Sequence, residues 1–241
     1  MRIRRLSEID LARFCAVEDD ENLRQKLRLY NLGGGAWSYD PVRKSKADIL
    51  CARTPMFDSI AEATWDKLAP QISSACIRGK AQASANLLVA KTLYDYRKAH
   101  AWDAVKFEMG SLPLGFGETA RYWSDILIDD GNGPIIAYFD HRRTGGITGD
   151  RHRQIVFSMQ NVWIRERYLD LSDARLAVIR FPSHNDLRSV DIRFHKELDL
   201  LSYEDLDAAV KRVYLLWAEV SREREDGVRK TGTGESTPMG F

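Results

Sequence analysis

The dipeptide Asn132-Gly133 sits between two apolar runs, 121–129 and 135–142. Asn-Gly between such runs is the strongest short-range signal for a β-hairpin. The corner, Asp130-Gly131-Asn132-Gly133-Pro134, therefore joins two antiparallel strands. A second glycine-bearing loop follows at 144–150, then a helix over 151–167 with Ile155, Val156, Met159, Val162 and Trp163 on one face. Strands are expected at 174–181 and 190–195. The first has an apolar middle, the mark of a strand buried on both faces. It can return parallel to the hairpin through the intervening helix. A mixed sheet with flanking helices follows, an α/β fold.

The first hundred residues read as helical. Ser7 with Asp10 forms a loose capping pattern, and Leu23, Leu27 and Tyr30 recur at helical spacing. Gly33-Gly34-Gly35 and Asp40-Pro41 mark a loop. No Gly-Lys-Ser/Thr follows the glycines, so a phosphate cradle lacks its lysine. A helix over 80–98 buries Ala83, Leu87, Ala90 and Tyr94, and a short strand spans 105–109. Ser202 and Asp205 start a last helix that runs to about 220. The expected organisation is a helical N-terminal region at 1–79 packed on the core, an α/β core at 80–221, and a disordered tail at 222–241.

Thirty-six Lys and Arg against 35 Asp and Glu leave a net charge of +1, so there is no global attraction to nucleic acid or membrane. Cys15, Cys51 and Cys76 are scattered and never form C-x-x-C, which argues against disulfides and thiolate zinc. Free thiols suit a reducing compartment. The basic N-terminus leads into no apolar stretch, and no run is long enough to span a membrane. A cytoplasmic protein without a membrane partner is expected. His184 and His195 have no partner at ligand spacing and read as structural or exposed.

Chemistry concentrates on the hairpin. Folding it about Asn132-Gly133 places Asp125 directly opposite Asp140. Opposed residues of an antiparallel pair share a face, with Cβ atoms about 4.5–5.5 Å apart. Two carboxylates so placed repel. A divalent cation, a shared proton or the guanidinium of Arg142 would each relieve this, and the geometry does not choose among them. The plainer reading is that both aspartates are solvated strand-end residues.

A helix, an acidic residue on one hairpin strand, an acidic-x-basic triplet on the next, then a helix and a strand: this order resembles the PD-(D/E)xK, restriction-endonuclease-like nuclease superfamily. The matching residues are Asp125 within Trp123-Ser124-Asp125-Ile126, the triplet Asp140-His141-Arg142, and Gln154 near the start of the next helix. The resemblance covers roughly residues 80–182. It implies catalytic Asp125, Asp140 and Arg142, with Mg²⁺ held by Asp125, Asp140 and Glu108. It further implies phosphate contacts from Arg143, Arg151, His152, Arg153 and Gln154, and base stacking on Tyr122 and Trp123.

Two departures matter. Arg142 stands where the superfamily has lysine, and Ser124 where proline often precedes the first acid. Arginine stays charged and presents a fixed fork, whereas lysine can shift its pKa beside a nucleophilic water. The resemblance implies a Mg²⁺-dependent endonuclease or exonuclease, hydrolysing phosphodiesters of DNA in genome defence or mobile-element maintenance. The alternative is an inactive nuclease-like regulator or complex subunit. It would bind a protein partner through its N-terminal helices, or bind nucleic acid without hydrolysis. Arg142 and the near-neutral charge favour this alternative.

Overall fold

The structure, a computed structural model, describes residues 5–30, 38–54, 62–113, 119–121, 125–143, 145–185, 187–196 and 198–231. Helix α1 (Glu8–Cys15) begins where the Ser7 hydroxyl accepts the Asp10 amide at 3.2 Å. Helix α2 (Asp20–Leu29) begins on Asp19, whose carboxylate accepts the Asn22 amide at 2.6 Å. Each cap satisfies a backbone donor that the first turn would otherwise leave open. The short α3 (Asp40–Lys44) and α4 (Lys46–Ile49) precede α5 (Trp65–Ser74) and the long α6 (Lys80–Ala99).

The strands follow: β1 (Asp103–Lys106), β2 (Ser111–Pro113), β3 (Thr119–Arg121), β4 (Ile126–Asp129) and β5 (Pro134–Asp140). Helix α7 (Asp150–Gln160) runs into a π turn at Asn161–Arg165 and a 3₁₀ turn at Leu169–Leu171. Then come β6 (Arg175–Arg180), β7 (Ser183–His184), β8 (Leu187–Arg188), β9 (Asp191–Phe194) and α8 (Tyr203–Thr231).

The main sheet has five strands in the order β1-β4-β5-β6-β9. All its pairings are antiparallel except β5 with β6, which are parallel and joined through α7. Alternation along the strands sorts two cores. Leu127, Ile136, Tyr138, Leu176 and Val178 face α1, α2, α7 and α8. Ile128, Ile135, Ala137, Phe139 and Ile179 face α3 to α6. The expected mixed sheet with helices on both faces, and the helical N-terminal region, are both present. The early helices are shared between the two faces, α1 and α2 on one and α3 to α5 on the other.

The hairpin register differs from the expected one. Asp129 pairs with Pro134, Ile128 with Ile135 and Leu127 with Ile136. The expected pairing set Asp129 against Ile136, two residues further along. Gly131 and Gly133 both take positive φ, 87° and 96°, and the loop closes on residues 130–133. Side chains on its rim stiffen it, with Asp129 accepting the Gly131 amide at 2.7 Å and Asp130 the Asn132 amide at 3.1 Å.

Three elements also depart from the sequence reading. The buried stripe of α6 runs through Gln82, Asn86, Val89, Ala90, Leu93 and Tyr94, rotated from the apolar positions expected. Its two amides face inward because they hold the chain before α3. Asn86 donates to the Ser38 carbonyl at 2.9 Å and accepts the Val42 amide at 3.2 Å, and Gln82 donates to the same carbonyl at 3.2 Å. The strand expected at 105–109 sits earlier, as β1. Helix α8 continues past 220 to Thr231, and its stretch around Arg224 meets the end of α2. There Arg224 donates to the carbonyls of Leu27, Arg28 and Tyr30 at 2.7–3.0 Å, taking up the acceptors that a helix end exposes. The glycines at 33–35 and residues 232–241 of the expected tail lie outside the described residues.

Candidate functional site

The end of β5 gathers the acidic-x-basic triplet, but each member turns to a separate partner. Asp140 is 1% exposed. One carboxylate oxygen accepts the Arg142 amide at 3.1 Å, the other the Ile147 amide at 2.6 Å. Arg142 and Ile147 thus turn their amides toward one anion. Gly146 makes room for it, because a Cβ there would lie 1.8 Å from the carboxylate oxygen. Charge-assisted bonds from backbone amides are the stronger kind, and they fix the loop.

Arg142 reaches across to α1. Its two terminal nitrogens meet the two oxygens of Asp10 at 2.9 Å each. Asp10 also accepts from Tyr30 at 2.8 Å and Arg13 at 3.2 Å, with the Ser7 hydroxyl at 2.5 Å. Burial by itself would raise the Asp10 pKa. The hydrogen bonds from Arg142, Ser7 and Tyr30 outweigh it and hold the carboxyl below its ordinary range. Burial, then the Asp10 charge, pushes the Tyr30 phenol up to about 12. The cluster ties α1, α2 and the loop after β5 together.

His141 takes the opposite face and is 2% exposed. Its ring stacks on Phe181 at 5.5 Å and 11°, with Tyr39 at 6.1 Å and Phe139 at 6.2 Å. The Lys46 ammonium sits 4.4 Å over the Phe139 ring. Burial drives the His141 pKa well below the ordinary imidazole value, and the charges of Lys46, Arg43 and Arg188 add to it. The imidazole is therefore neutral at physiological pH.

The remaining residues singled out by sequence are dispersed. Asp125 is exposed, just before β4, and its carbonyl accepts the Phe107 amide at 2.9 Å, extending the β1–β4 pairing. It is no ladder partner of the buried Asp140, so the facing pair that motivated a Mg²⁺ site is not formed. Glu108 and Arg143 are exposed. Arg151 donates to Gln154 at 2.5 Å and lies 3.6 Å from Glu18. Arg153 bonds Asp150 and the Thr148 carbonyl, and Gln154 donates to the Asp199 carbonyl at 2.6 Å. These bonds serve the start of α7. His152 lies there too, with its pKa lowered by burial and by the charges of Arg13, Lys26 and Arg153. Tyr122, Trp123 and Ser124 lie outside the described residues. Among the described residues, no group of three or more His, Cys, Asp or Glu is placed to hold a metal ion. Nor is any helix there long and apolar enough to cross a membrane.

Sequence reasoning missed Asp10 as the partner of Arg142, and Lys46 and His141 as buried polar groups. The one local trace of Asp10 is its spacing from Ser7, which reads as a cap.

The fold and this site define a layered α/β protein whose acidic and basic side chains at the end of β5 act as internal latches. The chain belongs to the family whose model is described as SocB, sliding clamp-binding bacterial toxin SocB, which matches residues 9–227. It is 33% identical over 237 residues to the DNA replication inhibitor toxin SocB of Caulobacter vibrioides (strain NA1000 / CB15N), covering 98% of each chain. No solved structure matches. The family match includes the whole segment from which the nuclease resemblance was drawn, and it overturns that resemblance. With it fall the nuclease and hydrolase readings. The topology of strand, hairpin, helix and strand is shared by many unrelated proteins, and three charged residues on it did not specify a chemistry.

Proposed function

We propose that this chain is a toxin that binds a replicative sliding clamp in the cytoplasm and thereby inhibits DNA replication. The observation that carries the reading is the extent of the similarity. A relative described as a DNA replication inhibitor toxin aligns with 98% of the chain, and the matching family is described as sliding clamp-binding. The disposition of the charged residues is consistent with it. Asp140 and Arg142 are engaged in holding the fold together, which suits a binding protein better than a hydrolase.

Primer extension by a clamp-dependent polymerase tests the reading. The chain slows extension when clamp is loaded and leaves clamp-independent extension by the same polymerase unchanged. Equal inhibition with and without clamp, or degradation of the template, contradicts it.

A further inference from the structure

A cleft of about 450 Å³ opens where the π turn, the start of β6 and the end of β9 meet. That is within the range of about 300–1,000 Å³ typical of small-molecule sites. It lies apart from the cluster at the end of β5 and shares none of its residues.

Three cations line it: Arg165, Arg175 and Lys196. Arg165 ends the π turn, a distortion that recurs at functional sites. Its Nε donates to the Ser172 carbonyl at 2.8 Å, which fixes the guanidinium, and neither terminal nitrogen has a partner among the described residues. Lys196 is exposed and makes no ion pair or hydrogen bond among the described residues. Arg175 is held by Asp130 and by the Gly133 carbonyl, and its guanidinium carbon lies 5.0 Å from the centre of the Phe194 ring. Asp173 also lines the cleft and pairs with neither Arg165 nor Lys196. Arg165 and Lys196 beside a pre-fixed third cation make a receptor for an anion.

The other walls say which anion. Phe194, on the same face of the sheet as Arg175, offers an aromatic ring, while Leu176 faces the other side. His195 approaches the Leu198 carbonyl through Nε2 at 2.7 Å. A carbonyl only accepts, so Nε2 carries a hydrogen and donates. Asp173 is an acceptor and would repel a bare anion. A ligand that meets the cations, Asp173 and the Phe194 ring carries a phosphoryl group, an N–H or O–H donor and a flat apolar body. A nucleic-acid backbone is a poor fit, since Asp173 interrupts the cationic wall and the chain carries a net charge of only +1.

We propose that this cleft binds a nucleoside phosphate. Arg165 and Lys196 hold the phosphoryl oxygens, Phe194 supports the base, and Asp173 accepts from sugar hydroxyls or the base amino group. The inference goes beyond clamp binding and does not depend on it.

Isothermal titration of the full chain decides the matter. The probes are the ribonucleoside mono-, di- and triphosphates, their parent nucleosides, inorganic phosphate and a short single-stranded oligonucleotide. At least one nucleotide is expected to bind with Kd under about 1 mM, tenfold or more tighter than its nucleoside or inorganic phosphate. Lys196→Glu, at an exposed position, is expected to weaken it at least tenfold with an unchanged melting temperature, and Arg165→Gln to weaken it as well. No nucleotide binding, phosphate binding as tightly as nucleotide, tighter binding of the oligonucleotide, or an unaltered affinity in Lys196→Glu would each overturn the proposal.

Discussion

Arg142 and Asp10, 132 positions apart in the chain, meet fork to carboxylate with both contacts at 2.9 Å. The Asp10 side chain is 5% exposed and that of Arg142 28%. A bidentate pair this far from water is held by geometry as much as by charge. It joins the first helix to the loop that follows the central strand β5, and Tyr30 adds α2 to the same junction. The N-terminal helices are thereby locked to the sheet by a polar contact as well as by the apolar packing of Leu11, Leu23 and Leu27.

Removing Arg142 takes away the bidentate partner of the buried Asp10 and leaves Arg13 as its remaining cation. Arg142→Met is expected to lower the unfolding free energy by about 3 kcal/mol, the low end for a buried pair because Arg142 keeps some contact with water. Urea denaturation reads this as a lower midpoint at unchanged slope. In a double-mutant cycle with Asp10→Asn the two losses are less than additive, by about 1–3 kcal/mol. Full additivity would show that the pair does not couple.

The carboxylate of Asp140 organises its own loop. Asp140→Asn turns an amide NH₂ toward a backbone donor and is expected to cost about 2 kcal/mol; Asp140→Ala leaves two amides without an acceptor and costs about 2–4 kcal/mol. Gly146→Ala drives a Cβ into that carboxylate and costs about 1–3 kcal/mol through overpacking. Hydrogen exchange at the Ile147 amide reads the loop directly and should speed up in all three variants. Protection equal to the unaltered chain would mean that Asp140 is not the anchor.

Stability depends on pH through His141. Unfolded, its imidazole titrates near 6.5; folded, burial first and then Lys46, Arg43 and Arg188 hold it well below that. Between the two values the unfolded chain binds the additional proton, so stability rises with pH there. The contribution is complete above about 6.5 and is lost as pH falls toward the folded value. His152, lowered for the same first reason, acts with the same sign. Melting temperature should therefore drop from pH 7 to pH 5, and His141→Phe, which keeps the ring stack, should flatten that drop. An equally steep fall in the variant would assign the acid limb to other groups.

Much of the fold is legible in local pattern. Leu23 and Leu27 define α2, the apolar middle of β6 announces a doubly buried strand, and Asn132-Gly133 places the hairpin. The register is another matter. Positive-φ glycines at both 131 and 133 permit more than one closure, and the observed one moves Asp125 two residues off Asp140's partner position. Arg142 reads as a strand-end base because its counterion is supplied 132 residues earlier. Arg224 of α8 reaches the end of α2, a contact that no window along α8 displays. The family was hidden for a related reason. Similarity to the replication inhibitor is spread over 98% of the chain, with no short spacing that dictates a reaction.

Direct association with a purified bacterial sliding clamp is the most pointed test of the account. In biolayer interferometry with immobilised clamp, the folded chain is expected to bind saturably, with Kd of about 10 μM or tighter. Absence of association at concentrations well above that, by a chain whose melting curve shows it folded, would contradict clamp docking as its function.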